Sequence, residues 1–334
     1  MESIRSTFTI DIRRLRVLRE LRERGTIGAT AKALALTPSA ISQQISALGR
    51  EVGVRLLAPQ GRGVRLTPQA ELLLEHANAI DAQLERARAD LAALEEGVVG
   101  RVVVGAFGTA ITGVVAPALE RLRRERPRLL LVVREQGPEC FRLLDRGELD
   151  LAISVDHAGG PTRGDPRYAR WELLDDLLLV ALPAGHRLAG EADVDLLALA
   201  EERWIMGGIG GPCREVAPAA CAAAGFTPEV VHEVDDWGAA LRLVAAGCGV
   251  GLVPELATRA PPAGVVLRRP AGPLRPRRHL FAAARSGAER SPAIAAVVEA
   301  LMGVVPERQA SGAETAPRAR TARATGLQRR GARA

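Results

Sequence analysis

TPSAISQQISALGREVG, residues 37–53, is the stretch on which the reading of this chain turns. Thr37 offers a side-chain oxygen to the first free N–H groups of a helix, and Pro38 takes the first helical position, where a missing N–H costs nothing. At about 100° per residue, Ala40, Ile41, Gln44, Ile45 and Leu48 share one face, while Ser39, Ser42, Gln43, Ser46 and Arg50 share the other. The second face is short, polar and rich in donors and acceptors. Such a helix suits the major groove of DNA, where Gln pairs with an adenine edge and Ser with base or phosphate. Taken alone, the same face suits bulk water equally well.

The flanks favour the groove. Upstream, Ile12, Leu15, Leu18 and Leu21 recur at helical spacing over residues 11–24 until Gly25 stops them. Thr26 then caps a short second helix, residues 27–35, built of small side chains and anchored by Leu34. Downstream, the β-prone runs 54–57 and 64–67 flank a Pro/Gly turn at 58–63, which predicts a hairpin with Arg62 at its tip and Arg65 on the return strand. Three helices and a basic hairpin make a winged helix-turn-helix over residues 11–67. Arg62 is placed for a minor groove or a phosphate, and Arg65 for a phosphate or an acidic neighbour.

The order Ala-Lys-Ala-Leu (31–34), Thr-Pro-Ser-Ala-Ile-Ser-Gln-Gln-Ile (37–45), Gly-Val-Arg-Leu-Leu (53–57) and Gly-Arg-Gly-Val-Arg-Leu-Thr-Pro (61–68) strongly resembles the DNA-binding module of LysR-type transcriptional regulators. With that resemblance go DNA contacts from Lys32, Thr37, Pro38, Ser39, Ser42, Gln43, Ser46, Arg62 and Arg65. Gly49, Leu57, Pro59 and Ala70 depart from it, standing where such regulators usually carry Glu, Phe, Arg and Gly. The missing arginine at 59 implies one fewer backbone contact in the wing. As partners the resemblance implies double-stranded promoter DNA, a small-molecule effector and further copies of the chain, as a homodimer or homotetramer. It leaves RNA polymerase open as another partner and implies no membrane.

Thr67 and Pro68 repeat the cap and open a linker helix over residues 68–96. Leu72, Leu73, His76, Ile80, Leu84, Ala87, Leu91 and Leu94 recur at a coiled-coil period, so this helix either pairs with a second copy or packs on its own domain. In a LysR-like chain it pairs two subunits antiparallel, with His76 as a packed interface residue. From residue 100 the pattern becomes strand-helix alternation, predicting a parallel α/β sheet. The runs LLDRGELDLAIS (143–154) and LVAAGCGVGLVP (243–254) are similar to the two most recognisable body motifs of LysR-type regulators. The expected architecture is therefore multidomain: an all-α winged helix-turn-helix with a long linker helix, then a two-lobed α/β domain like type 2 periplasmic binding proteins. The effector-binding domain spans 100–303, with lobe I over 100–158 and 268–303 and lobe II over 159–267. Residues 1–10 read as an N-terminal arm, and 306–334, almost free of large apolar side chains, as a disordered basic tail.

Ligands of open α/β sheets bind beyond the strand C-termini, where helix N-termini present free N–H groups. Two glycine-bearing loops fit that rule and suit an anionic or polar effector: Phe107-Gly108-Thr109, and residues 207–212, including Gly210, which lead into Cys213 and Arg214. Gln136 and Trp237 are further lining candidates. Two other functions stay open: a redox response through Cys213 and Cys221, and a small-molecule-binding protein without DNA function. An enzyme is not expected, since no G-x-S-x-G, H-E-x-x-H or phosphate-binding Walker motif occurs.

Composition agrees. The net charge of +6 divides as +7 over residues 1–70, −6 over 71–305 and +5 over 306–334, a basic head on an acidic body. Lys32 is the only lysine, which we read as codon bias and not as guanidinium chemistry. Four cysteines and five histidines show no metal-ligand spacing, and neither a metal nor another cofactor is expected. With no run of about 18 apolar residues and charges at Asp11, Arg13 and Arg14 where a signal core would begin, a cytoplasmic location is expected.

Overall fold

A computed structural model describes residues 10–61, 63–94, 98–137, 139–207, 215–258, 260–272 and 275–304. The head comprises α1 (Ile12–Arg24), α2 (Ile27–Ala33), α3 (Pro38–Val52), β1 (Leu57–Gln60) and β2 (Gly63–Leu66). Asp11, Thr26 and Thr37 cap the three helices through their side chains, and Gly25 and Gly53 end α1 and α3 in the left-handed conformation. The wing differs from the reading of the sequence. Its strands start at Leu57, and Ala58–Pro59–Gln60, taken for turn, pair with Arg65–Val64–Gly63. A two-stranded ribbon has free edges on both sides, so a proline that cannot donate is accommodated.

The linker helix α4 (Pro68–Ala93) belongs to two bodies. Its first turns bury Ala70, Leu74 and Ala77 with Leu18, Ile41, Ile45 and Leu48 in the core of the head. Farther on, Ala82 and Ala89 are buried, and the backbone carbonyl of Ala82 would lie 2.2 Å from a Cβ placed on Gly287, whose φ is +95°. Lobe I therefore rests directly on the linker helix. Most of the predicted stripe lies on the other side, where Leu72, Ile80, Leu84, Leu91 and Leu94 are exposed, while Leu73 packs against the head core.

The body contains β3 (Gly100–Ala106); α5 (Gly108–Ala110), continued through a π-helical turn (Ile111–Val115) into α6 (Ala116–Glu125); β4 (Leu129–Glu135); α7 (Cys140–Asp145); β5 (Leu151–Val155); and β6 (Tyr168–Pro183). There follow β7 (Asp193–Val194), β8 (Arg203–Met206), α8 (Val216–Ala223), β9 (Glu229–Glu233), α9 (Trp237–Ala245), β10 (Gly251–Pro254), β11 (Val265–Pro270), β12 (Arg277–Arg285) and α10 (Pro292–Val304). One sheet, in the order β4-β3-β5-β12-β6-β11-β7 with β10 also on β6, runs through both lobes. Its β4-β3-β5 part is parallel as expected, but β12 is antiparallel to both β5 and β6, so the sheet is mixed.

The long strand β6 is the main departure from the sequence pattern, whose apolar run over residues 177–182 predicts only the second half of the strand. Trp171, Leu173 and Leu174 pack into the lobe I core with Val104, Ile153 and Leu280, whereas Leu178, Val180 and Leu182 join the lobe II core around Trp204. The passage between lobes lies within this strand, not at the expected boundary of 158/159. A β-bulge at Leu173, opposite the Leu280/Phe281 step, lets the neighbours Leu173 and Leu174 both face the core. The glycines of the 243–254 motif allow a close approach: a Cβ on Gly249 or Gly251 would lie 2.6 or 2.9 Å from the carbonyl oxygens of Arg203 and Ile205.

Candidate DNA-reading face and effector cleft

On α3 the burial of Ile41, Ile45 and Leu48 turns Ser39, Gln43, Ser46 and Arg50 to the surface, where all four are exposed. Ser42 sits on the flank, and its hydroxyl donates to the carbonyl of Pro38 at 3.0 Å, leaving its lone pairs to accept from outside. Thr37 is committed to its cap through the Ala40 N–H at 3.2 Å. Lys32, Pro38 and Arg65 are exposed on the same module. Arg62 lies outside the described residues. The site residues thus stand on a packed helix and ribbon, not on a loop.

In the body, β3 ends at Ala106 and the next helix begins at Gly108, so Phe107 and Thr109 lie at the carboxyl edge of the sheet. Thr109 Oγ accepts a hydrogen bond from Arg278 at 2.8 Å, and the same guanidinium is 5.0 Å above the Phe107 ring. Arg278, on β12, is paired with Asp176, on β6, at 2.7 Å. Both side chains are almost completely buried at the crossing of the two strands that join the lobes, with 1% and 2% of their surface exposed. Leu256, from lobe II, donates its N–H to the other Asp176 oxygen at 3.0 Å and lies over Gly113 in the π-helical turn. Burial pushes the Asp176 carboxyl above its usual range, while the Arg278 charge pulls it back.

Sequence reasoning placed Phe107, Gly108 and Thr109 here but missed Arg278 and Asp176. The signal was present as two carboxylates, Asp175 and Asp176, inside the otherwise apolar run LLDDLLLV. Gln136 is joined to the same strand end by its N–H, which donates to the Ala106 carbonyl at 2.9 Å. Trp237, in contrast, packs against the lobe II cluster of Ile205, Leu241 and Val244. Gly210, Cys213 and Arg214 lie outside the described residues. Cys221 is fully buried and its thiol is pushed up to about 11, so it carries almost no thiolate near neutral pH. Cys140 is likewise buried and pushed up to about 11.

The family described as "Bacterial regulatory helix-turn-helix protein, lysR family" matches residues 12–71, and "LysR substrate binding domain" matches residues 95–305. The chain belongs to the LysR family. It is a DNA-binding transcriptional regulator with an effector-binding domain, not an enzyme, and LysR regulators work as oligomers on DNA in response to small molecules. Among its relatives, this LysR regulator is 33% identical over 223 residues to the transcriptional regulator ShiR of Corynebacterium glutamicum, covering 66% of this chain and 74% of that one. It is 27% identical over 262 residues to XapR of Escherichia coli, covering 78% and 88%. The fold is that of a full-length OxyR variant from Pseudomonas aeruginosa, with a TM-score of 0.58 at 23% identity over 88% of this chain and 98% of that one. No helix among the described residues is long and apolar enough to cross a membrane.

Proposed function

We propose that this LysR regulator reads its operator with the outer face of α3, using Ser39, Ser42, Gln43 and Ser46. Lys32, Thr37, Pro38, Arg62 and Arg65 fix it on the phosphates. The observation that carries this reading is the exposure of Ser39, Gln43 and Ser46 opposite the buried Ile41, Ile45 and Leu48. Replacing Gln43 with Ala is expected to weaken operator binding by about 1–3 kcal/mol and to relax base preference at one position. Arg65→Ala is expected to weaken all sequences alike and lower the salt slope by about one. Gel shifts with operator and competitor duplexes at two salt concentrations read both. Equal effects of the two changes on every sequence would remove α3 as the reader.

The effector, a polar or anionic small molecule, binds between the lobes at the start of α5. Thr109 meets it there: because its oxygen accepts from Arg278, its hydrogen is free to donate into the cleft. Phe107, Gly108 and Gln136 are assigned to the lobe I side; on the lobe II side Gly210, Cys213 and Arg214 are assigned from the sequence alone, and Trp237 joins them from its cluster with Ile205, Leu241 and Val244.

The exposed leucines of α4 pair two copies, and the protein works in the cytoplasm. Leu91 and Leu94 are the most exposed of these, at 68% and 82%. Leu84→Asp with Leu91→Asp is expected to give monomers in sedimentation at micromolar concentration; an unchanged oligomer would assign assembly to another surface.

A further inference from the structure

A cavity of about 240 Å³ lies where head, linker helix and lobe I meet, well away from the cleft between the lobes. Each body contributes guanidinium groups to its wall. Arg16 and Arg19 come from α1, Arg88 from α4, and Arg146, Arg167 and Arg285 from lobe I. Only three carboxylates, Asp81, Glu85 and Asp145, line the same space. Most of these arginines are already held in place. Arg19 reaches Asp81 at 2.7 Å, Arg285 reaches Glu85 at 3.1 Å, and Arg167 reaches Asp165 at 2.8 Å and Glu23 at 3.3 Å. Arg146 donates to the Ala33 carbonyl at 2.9 Å and pairs with Glu20 at 3.4 Å. Glu20, Glu23 and Asp165 thus hold Arg146 and Arg167 without lining the cavity themselves.

The cationic lining goes beyond what a network of ion pairs needs. Arg146 lines the cavity with its guanidinium held at one edge by Ala33 and Glu20, so its charge is fixed beside the space. Arg16, exposed on α1, has no ion pair among the described residues, while Arg88 is 72% exposed and bonds Glu85 through one nitrogen at 3.3 Å. Fixed guanidinium groups converging from three directions are the donor set that recognises multiply charged oxyanions. We propose that this junction is a binding site for a small multivalent oxyanion, a phosphate ester or polycarboxylate, which ties the DNA-binding head and the linker helix to lobe I. The volume corresponds to about eight water molecules, so the bound anion is compact and smaller than a nucleotide. A DNA backbone offers the same oxygens, but singly charged and on a chain that only the rim can meet.

The test uses the full chain without DNA and inorganic pyrophosphate or citrate as probe, followed by calorimetric titration and thermal unfolding at constant ionic strength. At least one of the two is expected to bind and to raise the unfolding temperature beyond the effect of sodium chloride. The double variant Arg16→Glu/Arg88→Glu reverses the charge of the lining at its two most exposed members and is expected to weaken that binding at least tenfold. Arg123→Glu, on the exposed face of α6, is expected to leave it unchanged. Circular dichroism and sedimentation establish that both variants are folded and keep the oligomeric state of the unsubstituted protein. A non-operator duplex that displaces the probe would assign the site to DNA phosphate and overturn the proposal. So would stabilisation matched by sodium chloride, or a loss below tenfold in the double variant.

Discussion

Arg278→Met is expected to destabilise the effector domain by about 3–5 kcal/mol, because it leaves the Asp176 carboxylate buried without its partner. The penalty belongs mostly to the stranded charge, which gives the prediction a sign in pH. Burial already raises the Asp176 carboxyl, and loss of the neighbouring guanidinium raises it further. A carboxyl whose value is higher folded than unfolded contributes its stability below the unfolded value and loses it as pH rises through the folded one. The deficit relative to the unsubstituted protein is therefore full at neutral pH and shrinks as the pH falls toward 4. Comparing the two proteins at each pH cancels Asp156 and Asp165, whose lowered values act in the opposite direction in both. Asp176→Asn added to Arg278→Met keeps the acceptor for the Leu256 N–H while removing the charge, and is expected to recover more than half of the loss. A deficit independent of pH, with no recovery in the double variant, would show that the pair acts through shape alone.

Gly287→Ala is the second large effect, at about 2–5 kcal/mol. The new Cβ meets the backbone carbonyl of Ala82 at 2.2 Å, and the φ of +95° is strained for any L side chain. A carbonyl within α4 cannot yield without breaking the helix, so lobe I has to lift from it. Limited proteolysis and hydrogen exchange should show α4 losing protection between Ala82 and Ala89 while the head retains its own. If protection there and the unfolding temperature stay unchanged, lobe I does not rest on the linker helix in solution.

The head was legible almost residue by residue because its signals are local. Caps at Thr26 and Thr37, the stop at Gly25 and the two faces of α3 depend on neighbours within a few positions; the Asp11 cap and the Gly53 stop are equally local but come from the structure. The wing was misplaced by three residues because Ala58-Pro59-Gln60 has turn composition, yet a two-stranded ribbon imposes no ladder bond on the proline. In the body, β6 was read short because Arg170, Glu172, Asp175 and Asp176 break its apolar run. Their partners lie more than a hundred residues away or in side loops: Asp176 on Arg278, Asp175 on Arg277, Arg170 on Asp156. No periodicity reports a pairing at that separation. Arg278 was invisible for the same reason, while Thr109, which it holds, was found from the loop pattern alone.

The long strand β6 has a mechanical consequence. At one point it carries Asp176, under the effector cleft; eight residues earlier it begins at Tyr168, whose hydroxyl donates to Asp145 at 2.7 Å beside Arg167 and Glu23 of the head. At about 3.3 Å per residue the two positions are at most about 26 Å apart, joined through the bulge at Leu173 with no loop between them. An extended chain resists stretching and is clamped by neighbours along its length, so it behaves as a tie-rod. A displacement of Asp176 along the strand axis is therefore expected to reach Tyr168 and its contact with Asp145, less the slack that the bulge at Leu173 takes up.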